Sequence, residues 1–139
     1  MAQLTLIRGL PGSGKTTRAT NTACNDVYCV TVTLAADDFM VDAEGNYRFD
    51  PKDLKHAHTA CQQATRTLLE QGYFVIVHNT FSQKWEADPY FKIAEQEGCV
   101  VDVIDLFDAG LTDEQLAARN THGVPEETIA RMRARWEKF

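Results

Sequence analysis

The 139 residues carry 14 Lys and Arg against 20 Asp and Glu, a formal net charge of −6, with 44% hydrophobic residues. That balance argues against sequence-independent gripping of long duplex nucleic acid, which depends on Lys and Arg neutralising phosphates, and no run approaches the roughly 18 apolar residues of a bilayer-spanning helix. Residues 1–139 read as one domain with its own core. The four cysteines (Cys24, Cys29, Cys61, Cys99) lack C-x-x-C spacing and read as free thiols of a reducing compartment. With no charged-then-apolar leader at the amino terminus, the expected location is cytoplasmic, away from membranes.

In chain order, residues 4–7 form a short apolar run ending at Gly9, and a helix opens at Lys15 and runs to about Ala23. Residues 27–35 are rich in β-branched side chains and read as a strand ending at Asp37-Asp38. An acidic loop over 42–50 leads to a helix with Asp50 as N-cap, Pro51 at its first position and Asp53 in its first turn. Its apolar face carries Leu54, Ala57, Cys61, Ala64, Leu68 and Leu69, and Gly72 ends it.

Residues 73–77 form a continuous apolar strand ending at His78-Asn79-Thr80. Ser82 is expected to cap a helix that Pro89 interrupts or restarts and Gly98 closes. Residues 100–107 read as a fourth strand, and Thr112 with Gln115 as a capping box. Pro125 starts the last helix, with Ile129, Met132 and Trp136 along one stripe. Residues 119–139 hold five Lys and Arg against three Glu, whereas 86–114 hold nine acids and one Lys. The late arginines read as a solvated helix face, and Trp85 and Trp136 as core or partly buried.

Continuous apolar strands alternating with helices imply an α/β fold, with a parallel sheet of four to five strands covered on both faces. Ligands in such sheets sit beyond the carboxyl ends of the strands. The polar clusters 9–16, 37–38 and 78–80 all fall there.

Gly9-Leu10-Pro11-Gly12-Ser13-Gly14-Lys15-Thr16 satisfies G-x-x-x-x-G-K-[ST] between an expected strand and an expected helix. Glycines let the backbone wrap an anion closely, and the following helix turns its positive end to it. These residues, with Thr17, are the expected ATP-binding set. Lys15 reaches the β- and γ-phosphates, and the Thr16 hydroxyl is the expected protein ligand of Mg2+. The strand ending at His78-Asn79 carries no acid, and no Asn-Lys-x-Asp guanine reader occurs. Both points favour a small phosphotransferase over a motor or switch GTPase.

Transfer to a hydroxyl needs a carboxylate to accept its proton and positive charge near the transferred group. Asp37-Asp38 at a strand end supplies the first, and alternation on an extended segment lets only one of the pair face the acceptor. Arg119, in a segment with Asn120-Thr121-His122-Gly123 between two helices, reads as a mobile flap that can fold over ATP; Arg18 is a further source of charge. His58 and His78 read as structural.

The chain resembles small P-loop kinases of the polynucleotide kinase type. The likeness rests on 6–16, on Ala36-Asp37-Asp38-Phe39, and on Phe49-Asp50 with Leu54, Ala57-His58 and Cys61. It continues through Asn79-Thr80, Trp85-Glu86, Pro89-Tyr90, Arg119-Asn120, His122-Gly123-Val124-Pro125, Ile129, Met132 and Trp136-Glu137. The resemblance implies a three-layer P-loop kinase fold with a small helical lid. It also implies Asp37 as the base that activates a 5′-hydroxyl and Arg119 as a lid arginine on the ATP phosphates. Two departures stand out: Met40 replaces an Arg that holds the acceptor phosphate, and His122 replaces a second lid Arg. The expected catalytic set is Asp37, Lys15 and Arg119, with a nucleic-acid or nucleotide 5′-end as favoured acceptor. A small-metabolite or nucleoside monophosphate kinase and a non-catalytic ATP-binding module remain as alternatives.

Overall fold

The computed structural model describes residues 2–24 and 30–139. Four strands, β1 (Gln3–Gly9), β2 (Thr31–Leu34), β3 (Phe74–Asn79) and β4 (Val100–Phe107), form an all-parallel sheet in the order β2-β3-β1-β4. The expected strand over 27–35 is therefore described only from residue 30 on. Its first part lies outside the described residues, as do Cys29 and the Cys24 side chain.

The two central strands, β1 and β3, bury both faces, whereas the edge strands β2 and β4 stay half-buried or exposed. Leu4, Leu6, Val75 and Val77 pack against α2 (Leu54–Glu70) and α3 (Lys84–Glu97) through Cys61, Leu69, Ala87, Tyr90 and Ile93. On the opposite face Ile7 and Ile76 meet Ala19 of α1 (Lys15–Cys24). The result is three layers, helix on sheet on helix. A third cluster, Leu10, Leu116 and Ile129, joins the turn after β1 to α4 (Asp113–Arg119) and α5 (Glu126–Ala134). These two helices form a small lid.

Local sequence explains most boundaries. Thr112 accepts from the Gln115 amide as a capping box, and Gly98 ends α3 in the left-handed conformation. Asp50 accepts from the Lys52 amide and caps a 3-10 turn, Pro51–Asp53, which leads into α2. Four expectations are corrected. Pro89 neither interrupts nor restarts α3, which runs on through it; the carbonyl four residues back belongs to the exposed Trp85, so water can take the bond that proline cannot make. Ser82 is not the N-cap, a position held by Gln83; Ser82 Oγ instead donates to Glu86 Oε1 at 2.6 Å. Trp85 is 67% exposed rather than core. On α2, Leu54 faces solvent while Thr65 is buried, because its hydroxyl is satisfied by the Cys61 carbonyl at 2.8 Å.

Among the described residues, one charged side chain lies fully within this core. Arg8, on β1, has no exposed surface, and its guanidinium is stacked between Trp136 at 4.1 Å and Phe139 at 3.8 Å. It donates to the carbonyls of Phe81 (2.8 Å) and Glu137 (2.6 Å) and pairs with Asp105 at 3.1 Å. Opening such a network leaves buried acceptors orphaned, so Arg8→Ala is expected to cost about 3–5 kcal/mol. Urea unfolding followed by tryptophan fluorescence measures this directly, since Trp136 reports on the same contact.

Candidate active site

The loop after β1 is rooted by its own backbone. Gly9 N donates to the Thr80 carbonyl at 3.2 Å and Leu10 N to the Phe107 carbonyl at 2.8 Å. The ends of β3 and β4 thus fix where the loop begins. Gly12 and Gly14 take φ of +85° and +96°, a region that side chains disfavour. Gly12 has a second constraint: a Cβ there would run into the backbone carbonyl of Leu116, because α4 rests directly on the loop. A Cβ on Gly9 would collide with Ser13 Oγ.

The interior of this loop fits an anion. Ser13 Oγ is buried with no partner among the described residues. The amides of residues 14–17 find no backbone acceptor there either, since the first helical bond runs from Arg18 N to Gly14 O. Lys15 folds back on the loop, its Nζ donating to the carbonyls of Gly9 (2.8 Å) and Leu10 (3.2 Å). Burial pushes its ammonium down to about 8, opposed by the charge of Asp37. Thr16 and Thr17 are exposed at the start of α1. Among the described residues no group of three or more His, Cys, Asp or Glu could hold a metal. A magnesium ion that keeps waters and takes phosphate oxygens needs no preformed protein cage of that kind.

Asp37 and Asp38 do not lie on an extended segment, as the sequence suggested, but on a 3-10 turn, Ala36–Phe39, just past β2. Their divergence comes from the turn. Asp38 Oδ2 accepts from the Ala35 amide at 2.9 Å and caps the turn. Asp37 projects, half-exposed, toward His122, with Nδ1 3.1 Å from its Oδ2. Asn79 anchors the turn from below, its Oδ1 accepting from the Ala36 amide at 2.8 Å. The sequence places Asn79 in the polar cluster that closes the third strand and His122 in the flap after Arg119, without giving either a role of its own; a polar residue closing a buried strand is the signal that marks Asn79.

The other candidates separate. His78 is buried beside these acids, and burial holds its imidazolium below the usual range, with Asp38 opposing. His58 is half-buried on α2. Met40 is 2% exposed and belongs to the core. Arg18 and Arg119 are exposed, and their guanidinium groups have no hydrogen-bond or ion-pair partner among the described residues. Arg119 closes α4, one turn after the carbonyl that rests on Gly12. The segment beyond it is held as a tied turn: Asn120 Oδ1 accepts from the amides of His122 (3.1 Å) and Val124 (3.0 Å). The late arginines are not all solvated, since Arg133 pairs with Asp108 and Asp113 at 2.6 and 2.7 Å.

The sequence profile of the AAA domain family matches residues 4–139. The chain belongs to this family. Human NEDD4-binding protein 2 is 34% identical over 142 residues, a stretch that is 98% of this AAA domain and 8% of the relative. A chain of the Pnkp1/Rnl/Hen1 RNA repair complex matches with a TM-score of 0.77 at 19% identity, covering 97% of this chain and 44% of that one. A sugar kinase from Janibacter sp. HTCC2649 gives 0.70 at 18% identity, covering 100% of this chain and 80% of that one. APS kinase CysC from Mycobacterium tuberculosis, in complex with AMPPNP and APS, gives 0.58 at 16%, covering 76% of this chain and 62% of that one. The three-layer fold with its four-stranded parallel sheet is that of P-loop kinases. This AAA domain therefore spans a small part of the human relative and less than half of the RNA repair chain.

The two strained glycines of the loop should respond differently to substitution. Gly14→Ala meets open space, and only the backbone strain of about 1–2 kcal/mol applies. Gly12→Ala carries the same strain and must also displace α4. Thermal melting of the two variants is expected to show the larger loss for Gly12→Ala.

Proposed function

We propose that this AAA domain is an ATP-dependent phosphotransferase that moves the γ-phosphate to a hydroxyl, with a polynucleotide or nucleotide 5′-hydroxyl as favoured acceptor. The observation that carries this reading is Asp37, a projecting carboxylate whose field reaches the buried Lys15 of the phosphate loop. A base and a phosphate cradle within one electrostatic neighbourhood are what hydroxyl phosphorylation requires. The family membership and the kinase folds support the reaction class, and the likeness to an RNA repair chain favours a nucleic-acid acceptor. The folds of a sugar kinase and an APS kinase favour the second reading, a small-molecule hydroxyl.

In this reading the amides of residues 14–17 and Lys15 hold the β- and γ-phosphates, and the α1 dipole adds to them. A magnesium ion ligated by Thr16 would neutralise charge on those phosphates when bound. The acceptor oxygen forms a bond to the γ-phosphorus as the bond to the β-bridging oxygen breaks. Its proton passes to Asp37, and ADP leaves. Arg119 swings from solvent to the transferring group, where such an arginine is worth about 10³-fold or more in rate.

Labelled ATP with 5′-hydroxyl RNA, DNA, nucleosides and sugars tests the acceptor class. Asp37→Asn is expected to lose about 10² to 10⁴ in rate while keeping ATP affinity, and Asp38→Asn to lose much less. Equal loss in both, or in neither, would count against Asp37 as the base and favour a non-catalytic binding module. Affinity also depends on pH. Burial in the loop holds Lys15 near 8, whereas bound phosphate needs the ammonium. Affinity for an ATP analogue should therefore be flat well below pH 8 and fall about tenfold per unit above it, with proton uptake on binding. Calorimetry in buffers of different ionisation enthalpy measures that uptake.

A further inference from the structure

Beside the phosphate loop, three side chains from three separate segments meet where the acceptor would enter. Asp37 comes from the turn after β2, His122 from the loop between α4 and α5, and Tyr47 from the short bridge that pairs with Val41. His122 Nδ1 lies 3.1 Å from Asp37 Oδ2, and the imidazole stacks on the Tyr47 ring with centroids 4.1 Å apart and planes 14° from parallel. All three are partly open to water, Asp37 and His122 at 47% and 38%. An exposed pair of this kind holds little by itself, so its geometry must be imposed by what carries it. All three carriers are tied turns; that of Asp37 is held by Asp38 Oδ2 on the Ala35 amide and Asn79 Oδ1 on the Ala36 amide. Asn120 gathers the amides of His122 and Val124. Asp42 Oδ1 gathers those of Glu44 and Asn46, and Arg48 N donates to the Met40 carbonyl at 2.8 Å.

We propose that His122 is a positioning residue for Asp37. Its Nδ1–H holds Oδ2 and leaves Oδ1 for the acceptor hydroxyl, while Tyr47 fixes the plane of the imidazole. The inference rests on the reading of Asp37 as the base. A carboxylate accepts only, so the contact selects the ring form that carries its proton on Nδ1. No proton passes to His122 during transfer; the acceptor proton ends on Asp37 Oδ1. Because His122 rides on the lid and Asp37 on the body, the base is held in its working orientation only when the lid is seated on Gly12. Misplacement by about 1 Å in such a site can cost about 10²-fold, and that sets the scale of the effect.

The test uses His122→Ala, His122→Asn, Tyr47→Ala and the double variant, with Asp37→Asn as the reference and ATP-analogue binding as the control for folding. His122→Ala should lower kcat about 10- to 100-fold with the ATP KM unchanged. His122→Asn, whose side-chain amide can stand in for the Nδ1–H donor, should recover most of that loss. Tyr47→Ala should fall in the same direction, and the double variant should be no slower than His122→Ala, because the two act as one unit. A His122→Ala enzyme with wild-type kcat, or a His122→Asn enzyme as slow as His122→Ala, would overturn the proposal. If Asp37→Asn itself retains transfer, the base reading falls; if Asp37→Asn is inactive and His122→Ala is unimpaired, only the positioning role falls. A second readout does not need turnover. Above neutral pH, the ring 15N shifts of His122 should report the Nδ1–H tautomer in the wild type and lose that bias in Asp37→Ala. Identical shifts in both proteins would refute the contact.

Discussion

A guanidinium withdrawn from water is the constraint on which the carboxyl edge of the sheet depends. Burying an unpaired charge costs several kcal/mol, so every element around Arg8 must bring it an acceptor or a ring. Arg8 stands in register with Asn79 of β3 and Asp105 of β4. Its donors reach the turn before α3 and the residues after α5, and its two faces take Trp136 and Phe139. Lysine has three donors on a point charge and no flat faces, and could not serve all of these. Phe81, whose carbonyl takes two of the Arg8 bonds, is held at φ +46°. That strain persists because the guanidinium and the core fix the residue from both sides. Trp136 also tilts against Phe107 and packs beside Leu10, Leu116 and Ile129. The root of the phosphate loop and both lid helices are thereby referred back to the same charge.

What the sequence made legible follows periodicity and local chemistry. The strands over 74–79 and 100–107 are continuous or partly alternating apolar runs, and the capping box at Thr112 is a contact three residues long. The phosphate loop is a spacing of residue types that needs no tertiary knowledge. What escaped reading depended on partners far along the chain. Arg8 looks like a surface residue until Phe81, Asp105 and Trp136 fold around it. Leu54 fits the apolar stripe of α2 and still stands 39% exposed at the helix's first residue. Asp37 and Asp38 follow a β-branched run and were read as extended. The Asn79 side chain, from another strand, binds the Ala36 amide at the start of the 3-10 turn that carries them.

The candidate site joins two unlike environments across a short distance. On the phosphate side the lysine, the serine hydroxyl and the loop backbone are drawn into the protein, where charges interact strongly and solvent screens little. On the acceptor side Asp37, Tyr47 and His122 stand partly in water, and Met40 is turned into the core. Orientation there comes from ring stacking and tied turns rather than from clustered cations. A net charge of −6 does not by itself bar an anion from the loop, because repulsion from charges elsewhere is screened within about 10 Å.

Lys15 gives two of its three donors to the carbonyls of Gly9 and Leu10. The third stays free, so an anion in the loop can engage the ammonium without displacing either carbonyl. A lysine side chain loses about 1.5–2 kcal/mol of rotamer freedom when it is fixed in one place. Here that loss falls on folding, because the loop's own backbone holds the side chain. The cation is thus set in place by the same chain segment whose amides face the anion.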